Sequence, residues 1–276
     1  MNWFAWDPAP FVLAGAAVAL ARFADAFVRL RRRGRSDHAS WPRAALFVFA
    51  VLLGTLALVS PLDEAGDTYL ISAHMLQHVL IADVAPALAL VALRGPLLFF
   101  FLPSPILRRV ARSSAVRAVL AFLLRPRVSI AAWALVIGAW HVPAIYDYTL
   151  THPTVHDFEH LSFIAVGLLA WTQIIDPARR RTLSASQRLR CAMAMAGFSL
   201  VLGGVLLTTG PLYPAYALQA TRLFGLTAVA DQRLAGLLMI GEQLAVFALC
   251  SAILLPARSA VLARRERRPR PADALL

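Results

Sequence analysis

The chain has 276 residues, 59% hydrophobic and only 15% charged, a balance too apolar for a water-soluble domain of this length. Every basic side chain behind its formal net charge of +12 is arginine, set in short clusters between apolar runs. Basic residues so placed are topology signals and lipid-headgroup contacts, which excludes nucleic acid as a partner and leaves the bilayer.

Taken in chain order, the first ten residues, MNWFAWDPAP, have no basic n-region and carry Asp7, so no cleaved signal peptide is expected. A helix crosses the hydrocarbon with about 20 mostly apolar residues. Seven stretches qualify, near 10–29, 44–61, 68–93, 128–146, 157–175, 192–213 and 233–256. The expected fold is therefore all-α: a polytopic membrane protein with seven transmembrane helices forming one domain over 1–256. Between the third and fourth spans, the segment near 96–126 couples the short run PLLFFFLPSP to basic, Ala/Leu-rich residues and reads as an inner-surface amphipathic helix. Residues 257–276 read as a basic, disordered cytoplasmic tail.

Loop charge orients these spans. Arginines cluster after the first span (Arg31 to Arg43), between the third and fourth (Arg94 to Arg127), between the fifth and sixth (Arg179 to Arg190) and in the tail. The alternate loops are different: PLDEAGD carries only acids, and AIYDYTLTHPTVHD has no arginine. The N-terminus is expected outside and the C-terminus inside, in a multi-pass protein of the plasma membrane. Trp3, Trp6, Trp41, Trp140 and Trp171 fall near span ends, as interfacial aromatics do. Arg22 and Asp25, one turn apart, are expected to pair. Asp83 is expected to point away from the face carrying His74 and His78, toward Arg22. The two cysteines, Cys191 and Cys250, form no disulfide framework and read as packing residues.

Six of the seven histidines map to the outer half. His74 and His78 lie four residues apart on one helical face, as do His156 and His160 in HDFEH, with Glu159 close to that face. His141 lies at the outer end of the fourth span, and His152 sits in the loop before Pro153. One buried imidazole is commonly an interhelical hydrogen bond. Two matched pairs on one side point instead to a shared metal, which partners a ring nitrogen and favours neutral imidazole. The expected ligands are His74, His78, His141, His156 and His160. Met75, Glu159, Asp231 and Met239 are candidate supporting groups, Asp231 as an outer carboxylate or helix cap. Each methionine also has an ordinary role as core filler. Imidazole suits copper, zinc and iron, and a thioether tilts the choice toward Cu(I), with zinc as the alternative.

Several motifs in order, Ser60-Pro61-Leu62 leading to SAHMLQHVL, then APALALVALRGPLL, WHVPAIYD, HDFEHLSFIAVGLLAW, PLYPAY and DQRLAGLLM, resemble the seven-helix CtaG-type cytochrome c oxidase assembly proteins. That resemblance implies an assembly factor, a metallochaperone rather than an enzyme. It would bind copper and deliver it to the catalytic subunit of a haem–copper oxidase from the extracytoplasmic side, with an external copper donor. Two other readings use the same histidines: a seven-helix zinc hydrolase with a metal-bound water, and a b-type haem electron carrier.

Overall fold

The computed structural model describes residues 6–266, with side chains through Pro256. Among the described residues every regular element is a helix. We label the long ones α1 (Pro10–Arg32), α2 (Trp41–Val59), α3 (Ile71–Leu93), α4 (Pro126–Trp140), α5 (Pro153–Ile175), α6 (Ala185–Thr208) and α7 (Ala228–Glu266). Proline at the first or second position starts α1, α2, α4 and α5, where a missing N–H costs nothing. All but α4 are long and apolar enough to cross a membrane alone, so the protein is a multi-pass membrane protein.

Helix α4 departs from expectation. It has 15 residues, roughly 22 Å at 1.5 Å per residue, short of a hydrocarbon core of about 30 Å. The fourth span does not continue to residue 146, because Val142 is held extended before Pro143 and a separate short helix, Pro143–Thr151, begins there. A seventh crossing exists only if α4 is joined to Ser114–Leu123, from which it is bent by 70°. The molecule thus has six spans, or seven counting the bent pair. The segment near 96–126 is three short helices, Pro96–Phe101, Ser104–Arg112 and Ser114–Leu123. The first is anchored by Leu97, buried among Phe23, Phe27 and Phe47. At the other end α7 continues through Pro256 to Glu266, past the point where the sequence places the tail; residues 267–276 of that tail lie outside the described residues.

Helices α3 and α5 form the centre. Each buries 56% of its apolar window, against 17% for α1 at the periphery. They cross at Ala82 and Gly167, where a Cβ on Gly167 would overlap the Ala82 carbonyl. Only glycine permits that approach, the small-residue packing expected between helices in lipid. Pro86 cannot donate to the carbonyl four residues before it, which is Ala82, and α3 widens there into an i→i+5 turn over Leu80–Val84. Around this crossing pack Ile81, Trp133, Ile137, Phe163, Ala170 and Met195.

Arg22 pairs with Asp25 at 3.6 Å, as expected, and also donates to the carbonyls of Phe100 and Phe101, pinning the Pro96–Phe101 helix to α1. Two expectations fail. Asp83 does not meet Arg22; it accepts a 3.0 Å hydrogen bond from Trp171 Nε1. Trp171 is in turn buried beside Asp83 and is not an interfacial aromatic. Trp6 and Trp41 are exposed, as interfacial residues should be; Trp3 lies outside the described residues.

Candidate metal centre

The crossing of α3 and α5 sets two histidine pairs against each other. Within α3 the rings of His74 and His78 are 4.2 Å apart edge to face. Within α5 the rings of His156 and His160 are 4.1 Å apart. Between helices, His74 faces His156 at 5.3 Å and His78 faces His160 at 5.4 Å. Ligand atoms of His74, His156 and His160 lie within 4.8 Å of one another, as do those of His74, His78 and Glu159, so His74 belongs to both groups. All are buried.

A loop covers the cluster from above. The acidic run before α3 forms a widened turn, Ala65–Tyr69, that folds back so that Asp67 Oδ1 lies 3.4 Å from His74 Nδ1 and 3.5 Å from His156 Nε2. Gly66 makes this possible, since a Cβ there would stand 3.0 Å from the His74 backbone. The Gly66 carbonyl accepts from Tyr216 Oη at 2.7 Å, and Tyr216 meets Tyr146 Oη at 3.1 Å and His74 Nδ1 at 3.4 Å. Burial raises both phenols well above their ordinary value, so they are neutral. Nearby, Asp63 is pushed up to about 7, by burial first and then by the charge of Asp67. Asp67, Tyr146 and Tyr216 have no place in the sequence reading of the site. PLDEAGD ends seven residues before His74, and its acids were the available signal.

The polar atoms at the centre lack partners. His74 Nε2, both nitrogens of His78, His156 Nε2 and His160 Nε2 are buried without a hydrogen bond, as are Asp67 Oδ1 and both Glu159 oxygens. A buried polar group left unpaired costs roughly 1–3 kcal/mol. So many converging acceptors fit a cation: Asp67 occupies the Nδ1 side of His74 and leaves Nε2 free, the arrangement by which a carboxylate orients a ligating imidazole.

The other candidates divide. His141 is not in the cluster. Its Nδ1 lies 2.7 Å from the Ile137 carbonyl and its Nε2 lies 3.2 Å from Met75 Sδ, while burial pulls the ring down to about 4. Met75 and Met239 pack together with Ile71, Leu206, Tyr213 and Tyr216 beside the cluster. Asp231, at the start of α7, is the cap of α3: its oxygens accept from the backbone of Ile71 at 2.8 Å and Ser72 at 3.1 Å, and from the Ser72 hydroxyl. Leu70, the residue at that helix's own cap position, offers no side-chain acceptor. His152 is exposed, stacked on Tyr148 and away from the centre. Below the cluster a cavity of about 30 Å³ is lined by Met75, His78, His141 and Met239 and floored by Asp83, Glu242 and Gln243.

A helical membrane protein whose two central helices converge four imidazoles and two carboxylates in a buried, metal-compatible cluster is the class defined here. The chain belongs to the cytochrome c oxidase caa3 assembly factor family (Caa3_CtaG), whose model matches residues 21–258. No curated protein and no solved structure matches it.

Proposed function

We propose that this chain binds copper transiently at the α3–α5 cluster and hands it to the catalytic subunit of a haem–copper oxidase from the extracytoplasmic side of the plasma membrane. The observation that carries the reading is the set of orphaned nitrogens on His74, His78, His156 and His160, converging from two helices. Imidazole accepts copper, zinc and iron alike, and it is the family's role in assembling a cytochrome c oxidase that selects copper as cargo. More candidate donors than one ion needs, spread over two overlapping groups, suit exchange: an incoming ligand binds before an outgoing one leaves. Asp67 and Glu159 offset the positive charge of the ion in a medium that would otherwise reject it. The copper would come from an external donor, and the alternation of arginine-rich loops supports a cluster lying toward the outer face.

The alternatives separate on size and on metal. A b-type haem needs a slot of the order of 300–1,000 Å³, whereas the cavity against the cluster holds about 30 Å³. A zinc hydrolase would use the same donors with a metal-bound water. The test is the double variant His74→Ala with His78→Ala. We expect a normally inserted protein that no longer co-purifies with copper, in cells whose oxidase lacks its copper. Unchanged oxidase copper would refute the proposal, and zinc with hydrolysis in the wild type would favour the enzyme.

A further inference from the structure

His141, Met75 and Met239 were expected to join the other histidines, yet they stand apart as a group of different chemistry. His141 Nδ1 lies 2.7 Å from the Ile137 carbonyl, an acceptor that cannot donate, so Nδ1 carries the proton. In the neutral ring Nε2 is then a bare lone pair. It points at Met75 Sδ, 3.2 Å away, and a thioether has no proton to offer. Two acceptors thus face each other with no hydrogen between them. An imidazolium would remove the conflict, but His141 is buried and has no ion pair with any carboxylate among the described residues, so its charge would be uncompensated. A small cation lying against both lone pairs removes it without that cost.

The surroundings supply a third donor and the right space. Met239, from α7, belongs to the same buried cluster as Met75 and lines the same cavity as Met75 and His141. That cavity, about 30 Å³, admits one monatomic ion or water, not an organic ligand. His78 is at once a wall of this cavity and a member of the cluster with His74 and Glu159.

We propose that His141 Nε2, Met75 Sδ and Met239 Sδ form a second, soft metal subsite selective for a monovalent d¹⁰ ion such as Cu(I), adjoining the imidazole–carboxylate cluster through His78. Two thioethers and one imidazole form a softer set than imidazoles with carboxylates and discriminate against Zn(II). Movement between the stations is ligand exchange at constant oxidation state, with the ion leaving one set as it gains the other. The inference rests on the copper reading above, but the two can fail separately.

The experiment titrates detergent-purified protein with Cu(I), buffered by a chromogenic chelator, and follows metal–sulfur scattering by X-ray absorption. Wild type should bind about two equivalents, and Met75→Leu with Met239→Leu, which conserves volume, about one without the sulfur signal. The single variants serve if the double does not fold. His156→Ala with His160→Ala, which leaves the cavity walls intact, should keep one sulfur-ligated ion. Cu(I) bound by wild type without sulfur scattering, or scattering unchanged by the methionine variants, overturns the subsite and leaves the cluster standing. Binding in which the His156/His160 variant matches wild type overturns the cluster instead, and no Cu(I) binding by wild type overturns both.

Discussion

His74 Nδ1 faces Asp67 Oδ1 and the Tyr216 hydroxyl, each at 3.4 Å, while its Nε2 is turned to the centre of the cluster. A carboxylate in that position fixes the tautomer and raises the basicity of the free nitrogen. Asp67→Asn keeps the volume and removes the charge, so metal affinity should fall by about 10–100-fold while the thermal midpoint barely moves. Competition against a chelator of known affinity checks this, and an unchanged affinity would make Asp67 a bystander. The histidine pairs were legible because i and i+4 share a face and loop charge placed both pairs at one end. Asp67 was not, since what brings it over His74 is a loop folding back past Gly66, a tertiary event without a periodic signal. His141 shows the opposite error: its depth suited the cluster, but its ring turns toward Met75.

At the level of helices, the site depends on how closely α3 and α5 approach. Gly167 lies seven residues, two turns, below His160, and Ala82 lies one turn below His78, so the contact acts on the same faces that carry the imidazoles. Gly167→Ala should push the helices apart, lower the yield of folded protein and abolish metal binding. Gly197→Ala, where a new Cβ meets nothing within 4 Å, should do neither. Equal behaviour of the two variants would remove the crossing from the argument. The widened turn at Leu80–Val84 explains one misplacement. A helical wheel at 3.6 residues per turn turns Asp83 away from His78, whereas an i→i+5 turn sets it about one turn below, in the same cavity. Span positions were read well from hydropathy, but the break after α4 was not, because Pro143 interrupts a run that stays apolar.

Across the whole molecule, orientation is the claim that loop charge carries. Arg222 lies in a loop assigned outside, against the pattern, and donates to the carbonyls of Tyr216 and Ala217, so its charge is engaged within that loop. Single cysteines at Thr151 and Thr182, both exposed, should separate the two faces, since Cys191 and Cys250 are buried. A membrane-impermeant maleimide should label Thr151→Cys in intact cells and Thr182→Cys only after permeabilisation; the reverse would invert the topology.

Asp231 terminates α3 from 160 positions downstream. During synthesis, then, the helix that bears His74 and His78 enters the bilayer with its leading amides unsatisfied and waits for α7 to supply their acceptor. Until α7 is in place the α3 half of the cradle stands uncapped, and its two imidazoles take their final register only once Asp231 arrives.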